Sequence, residues 1–116
     1  MKTAELIGRE LDCWAGRGAG KNNLFVEKGR LLEVSKTGKI NPSRWRPSVN
    51  WTQGGPIIEK LKPINFYFWE PTNEWSCSWG SGHRWEVGPT ALIAAMRCYV
   101  ASKFGDEVDD SQAHNV

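Results

Sequence analysis

Residues 65–79 read NFYFWEPTNEWSCSW, two short runs of aromatic and small residues on either side of Pro71, Thr72 and Asn73. Strand-type alternation about a breaker cluster predicts a β-hairpin. A two-stranded ribbon is only marginally stable in water, so helices from the flanking sequence must pack on it. The fold class expected is α+β. Two pairings are open. If Pro71, Thr72 and Asn73 alone form the loop, Trp69 faces Trp75 and Tyr67 faces Cys77, leaving Phe66 and Phe68 with Ser76 and Ser78. If Glu74 joins the loop, Phe66 and Phe68 share the face of Trp75, Cys77 and Trp79, while Tyr67 and Trp69 join the serines. Either way one face mixes flat rings with hydroxyls. That mixture suits cover by a helix or a second subunit, or a cleft in which rings stack and hydroxyls select polarity.

Just before the hairpin, SVNWTQGGPIIEKLKP offers Asn50 or Ser48 as a helix cap and Trp51, Ile57, Ile58 and Leu61 as one face. Gly54, Gly55 and Pro56 interrupt it. Either the helix starts near Asn50 and bends at Pro56, or Gly55 caps a short helix that Pro56 opens. Paired glycines also permit close approach of another backbone or a ligand. Just after the hairpin, GSGH is a connection, RWEV a third strand, and Gly88-Pro89-Thr90 a helix start. Leu92, Ile93, Met96, Tyr99, Val100 and Phe104 form a broad apolar face that stops at Gly105, and Ala91, Ala94, Ala95 and Ala101 let the helix lie close to the sheet.

Farther out, Thr3 caps a first helix carrying Leu6, Ile7, Leu11, Trp14 and Ala15, which Gly16, Gly18 and Gly20 end. Residues 24–34 read as two strands folded about Lys28 and Gly29, followed by a Gly-, Pro- and Ser-containing loop. The last residues, DEVDDSQAHNV, are polar and acidic, a frayed tail. The organisation expected is one domain over residues 1–105 and an acidic flexible tail over 106–116.

The chain has 116 residues, enough for a core without staples, and its three cysteines form no Cys-x-x-Cys pair. Neither a disulfide framework nor a metal site is indicated, which fits a reduced, cytoplasmic protein. No apolar run approaches the length of a membrane span, and the N-terminus lacks a signal-peptide core. The net charge is +2, but unevenly spread: residues 17–62 hold ten Lys/Arg against three Glu, and residues 105–116 hold four acids and no Lys or Arg. Seven Trp is the odd feature of the composition, and Trp serves both cores and binding surfaces.

The stretches WTQGGPIIEK and GPTALIAAMRCYVASKFGDEV resemble the small, uncharacterised phage and prophage proteins of the NinX family, and more distantly the phage α-β-α sandwich domain. The likeness covers the first helix with Leu11, Asp12 and Trp14, the block from Trp51 to Lys60, and Gly88 to Val108. Residues 20–46 match poorly and look like a variable insertion. The resemblance implies helices on both faces of a small antiparallel sheet and a place among phage accessory proteins inside a bacterial host cell. It carries over no catalytic residue.

Chemistry-bearing residues are few. Cys77, His83 and Glu86 could form a Cys-His-Glu arrangement only if the chain turned back suitably, and alternation with Trp75 and Trp79 makes Cys77 an inward strand residue instead. GRGAGK at 16–21 is too short for a phosphate loop and follows a helix. The function expected is therefore non-enzymatic, with no cofactor: an accessory protein that binds a host protein or a small aromatic ligand such as a nucleotide, in keeping with an anti-defence role. Its candidate contacts are Trp45, Trp51, Tyr67, Trp69, Arg84 and Trp85, rings for stacking and arginine for anions. The alternative is nucleic-acid binding through the basic loop, with Lys36, Lys39, Arg44 and Arg46 on phosphates and Trp45 on a base. An aromatic-rich small sheet also leads to an expected homo-oligomer.

Overall fold

The computed structural model of the protein describes residues 1–62, 64–80 and 84–109. Three helices, α1 (Gly8–Gly18), α2 (Trp51–Glu59) and α3 (Ala91–Phe104), accompany two antiparallel sheets. One sheet is the hairpin β1 (Leu24–Glu27) and β2 (Arg30–Glu33); the other has the order β3 (Ile64–Trp69), β4 (Glu74–Trp79), β5 (Arg84–Gly88). The α+β class is the one the sequence predicts.

Helix α3 is the centre of the molecule. Thr90 Oγ1 accepts from the Ile93 N–H at 3.1 Å to cap its start, and Gly105, at φ 85°, ends it. From Leu92 to Ala101 every residue except Arg97 is buried. A helix apolar nearly all round has to be enclosed by its neighbours. On one side lies α1, where the Tyr99 hydroxyl donates to the Gly18 carbonyl at 2.8 Å. On another lies α2, which runs unbroken through Gly54, Gly55 and Pro56 from an Asn50 cap, the first of the two helix readings. A Cβ at Gly54 would stand 2.5 Å from the Pro47 carbonyl oxygen and 2.7 Å from Leu92 Cδ2, so this glycine permits the close approach. The sheet is the third neighbour: Gly88 meets the backbone of Ala94, and the Cys98 thiol donates to the Cys77 carbonyl.

Three expectations are corrected here. The helices gather on one face of the three-stranded sheet rather than on both, because α1 packs on α3 and β2 and α2 packs on α3, leaving the outer face to Tyr67, Trp69 and Trp85, each more than 60 % exposed. Thr3 does not cap α1. It is fully buried in a 3₁₀ turn (Thr3–Glu5) and gives its hydroxyl to the Gly105 carbonyl at 2.7 Å, so α1 starts only at Gly8 and leaves Ile7 exposed. The stretch 20–46, expected as a variable insertion, packs as part of the fold: Lys28 and Gly29, both at positive φ, turn the β1–β2 hairpin, and Leu24, Leu31 and Trp45 enter the core. Finally, the chain is not free from residue 106. The Thr3 N–H donates to the Asp106 carbonyl, the Val108 N–H to Met1, Lys2 bridges Glu107, and Val108 is buried. The rest of the acidic tail from 110 on, and Ser81 to His83 of the β4–β5 connection, lie outside the described residues.

Candidate functional site

The hairpin pairing decides which rings face outward. Trp69 pairs with Glu74, Tyr67 with Ser76 and Asn65 with Ser78, so the loop is Glu70, Pro71, Thr72 and Asn73, with Asn73 at φ 55°. Glu74 is a strand residue, outside the loop, but the facing is that of the second reading. Phe66 and Phe68 share the inner face with Trp75 and Cys77, and Tyr67 and Trp69 stand beside the serines. On the other side of β4, Ser78 pairs with Trp85 and Ser76 with Val87.

These pairings build a trough. The central strand presents two small side chains, Ser76 and Ser78, as the floor, and each neighbouring strand presents large ones as a wall: Tyr67 and Trp69 from β3, Trp85 and Val87 from β5. The cavity so enclosed measures about 730 Å³, within the usual range for ligand sites, and most of its lining is apolar. Ser78 is 5 % exposed while Tyr67, Trp69 and Trp85 are 62 %, 62 % and 65 % exposed. Polar groups are sparse: the hydroxyls, Asn65, Thr72, and Glu74 as the one charged side chain of the described lining. At the hairpin end, Phe68 and Trp75, which also border the trough, meet at 5.3 Å between centroids with their planes tilted by 57°. Arg97 fixes the β5 wall from the core side, donating to the Val87 carbonyl at 2.7 Å and to the Leu6 carbonyl at 2.9 Å.

Of the six candidate contacts, the trough brings together Tyr67, Trp69 and Trp85. The other three go elsewhere. Trp45 is a core residue, 6 % exposed, its indole N–H given to the Asp12 carbonyl at 2.9 Å and its ring covered by the Lys21 ammonium at 4.5 Å. It has no free face for a base or a partner. Trp51 is exposed at the start of α2, beside Val49 and Leu92 in a separate hollow. Arg84 shares the inner-face register with Cys77 and Trp79 and pairs with Asp106 at 2.8 Å. Val87 and Asn65 were not singled out in the sequence; once RWEV is read as a strand paired to WSCSW, period-two alternation with Trp85 identifies Val87.

The basic loop divides as well. Lys39 borders one hollow, with Asn23 and Pro42, while Arg44 and Arg46 border another with Arg9 and Arg30. Lys36 is exposed and lines neither. Cys77 is fully buried beneath the sheet, opposite Glu86 on β5, whose carboxyl burial pushes up; His83 lies outside the described residues. The Cys98 thiol, bonded to the Cys77 carbonyl and buried, is held protonated well above the ordinary thiol range.

Among the described residues no helix is long and apolar enough to cross a membrane. A family model described as "Bacteriophage P22, NinX" matches residues 2–103, a span that includes both sheets and all of the trough. No curated protein matches the chain.

Proposed function

Because the chain belongs to the bacteriophage P22 NinX family, we propose that it is a non-enzymatic phage accessory protein that works in the host cytoplasm by binding a host protein in the outer trough of its sheet. The observation that carries this reading is the pairing of a serine floor with exposed aromatic walls. Trp and Tyr are the side chains that most often dominate binding energy, since each removes a large apolar area from water with few rotatable bonds. Leaving three such rings in water costs free energy that packing within the chain does not recover. A partner that fills the trough recovers it.

The lining also selects the partner. Glu74 is its one charged group, and Arg84, expected to meet anions, is turned to the other face and held by Asp106. A nucleotide would therefore find rings but no cation for its phosphates. An apolar protein segment flanked by Lys or Arg fits both the rings and the acid.

The test is recovery of host proteins from infected cells with the wild type, with Trp69→Ala/Trp85→Ala, and with Arg44→Gln/Arg46→Gln. A host protein should be recovered with the wild type and with the arginine variant, and weakened by the tryptophan variant by about tenfold or more, the size of two truncated interface anchors. Equal recovery with both variants would overturn the trough as the site. Quenching of Trp fluorescence by nucleotides, lost in the tryptophan variant, would replace the protein partner by a small ligand. A wild-type dimer in sedimentation that the same variant splits would replace it by a second copy of this chain.

A further inference from the structure

A second hollow, sharing no lining residue with the trough, lies where the start of α1, the β1–β2 turn and the loop before α2 meet. Its border carries Arg9, Arg30, Arg44 and Arg46 around a volume of about 240 Å³. None of the four makes an ion pair among the described residues; Arg9 reaches only the Gly29 carbonyl, at 3.5 Å. Arg30 is partly buried, while Arg9, Arg44 and Arg46 are exposed, so the cost of burial falls on Arg30. A guanidinium partly withdrawn from water without a carboxylate is unfavourable unless something anionic completes it. One acid is present, Asp12 on the floor, and its carboxylate accepts the buried Ser48 N–H at 2.8 Å while Arg46 stands near it. Four arginines therefore border a hollow whose lining holds one acidic residue.

We propose that this hollow binds a phosphoryl group of a larger ligand, with Arg9, Arg30, Arg44 and Arg46 supplying paired N–H donors to its oxygens. The guanidinium fork matches phosphate oxygens two at a time, which a cluster of lysines does not. Size limits what enters. At about 240 Å³ the hollow is below the usual range for whole organic ligands of about 300 Å³ and more, so the phosphate enters and the remainder of the molecule stays outside. No base stacks there, because the bordering Trp45 is sealed in the core. Recognition is thus of phosphate without regard to base, and the loop sequence around Trp45 is turned from a stacking motif into a frame that spaces Arg44 from Arg46.

The phosphate has two sources, a nucleic-acid backbone or a free phosphorylated compound, and one experiment separates them. The arginine Nε–Hε signals of the full chain are followed by NMR during titration with sodium pyrophosphate and, separately, with a single-stranded oligonucleotide. Pyrophosphate should move the signals of Arg9, Arg30, Arg44 and Arg46 saturably and leave those of Arg84 and Arg97 in place. Arg30→Gln/Arg44→Gln should weaken the binding by about tenfold or more, and Lys36→Gln/Lys39→Gln should leave it unchanged. An oligonucleotide that moves the same four signals and is displaced by pyrophosphate assigns the site to a backbone, with affinity falling steeply in salt; one that leaves them in place assigns it to a free phosphate compound. The proposal is overturned if neither probe moves the four signals saturably in the wild type, or if the lysine pair loses as much affinity as the arginine pair.

Discussion

Asp12 is the residue at which distant parts of the chain meet. Its carbonyl accepts from Trp45 and its carboxylate from Ser48, so it ties α1 to the loop before α2. Burial pushes its carboxyl up to about 6 against the ordinary 3.8, although the Ser48 bonds and Arg46 pull the other way. The folded chain then holds a proton between about pH 4 and pH 6 that the unfolded chain has released, so stability falls as pH rises through this window. The effect is up to about 3 kcal/mol. Denaturant unfolding at about pH 4.5 and about pH 8 should show the wild type losing stability on the way up, and Asp12→Asn, which keeps an acceptor for Ser48 without a charge to bury, losing much less. Identical pH dependence of the two proteins would refute the assignment. Trp45 shows why this junction was not legible in the sequence. Between two arginines it reads as a stacking residue, and two long-range bonds hold it inside, from its backbone N–H to the Leu31 carbonyl fourteen positions back and from its indole N–H to the Asp12 carbonyl.

At the scale of elements, local signals were legible where one residue type performs one task. The Thr90 cap and Gly105 stop of α3, the positive-φ pair Lys28 and Gly29, and the hairpin about Pro71 all stand where the sequence places them. What local signals left open was settled by contact with another element. Helix α2 survives two glycines and a proline because Gly54 lets it close on Pro47 and Leu92, and because Gln53 braces the preceding loop by accepting from the Arg46 N–H and donating to the Arg44 carbonyl. The two glycines should therefore respond oppositely to a methyl group. Gly54→Ala drives a Cβ into a backbone oxygen and should cost about 1–3 kcal/mol. Gly55→Ala meets open space and should gain about 0.5–1 kcal/mol from helix propensity. Thermal melts of the two variants check the difference, and equal shifts would remove the packing explanation. The one-sided cover of the sheet was illegible for a similar reason: alternation tells which residues share a face, not which face a helix finds.

Over the whole molecule, two surfaces of opposite chemistry are held on one core. The trough is aromatic with a single acid, and the hollow between α1 and the basic loop is arginine-rich. Neither depends on the buried cysteines, which serve as packing. Holding both in place is the seam that joins residues 1–3 to residues 105–108. Cutting the chain after Phe104 removes the acceptors of the Thr3 hydroxyl and N–H and uncovers the pocket of Val108, so melting should fall by several degrees, about the effect of one or two lost buried hydrogen bonds. Unchanged melting of the shortened chain would show the seam to be ornamental. The same seam sets an order of events at the ribosome. Thr3 and Gly105 are 102 positions apart, so at about 5–20 residues added per second the first residues wait about 5–20 s for their partners. During that interval the residues of β3, β4 and β5 are made before those of α3 that pack on them. A sheet that is only marginally stable without its helix thus waits for the end of the chain, and the ends can close only after α3 has been made.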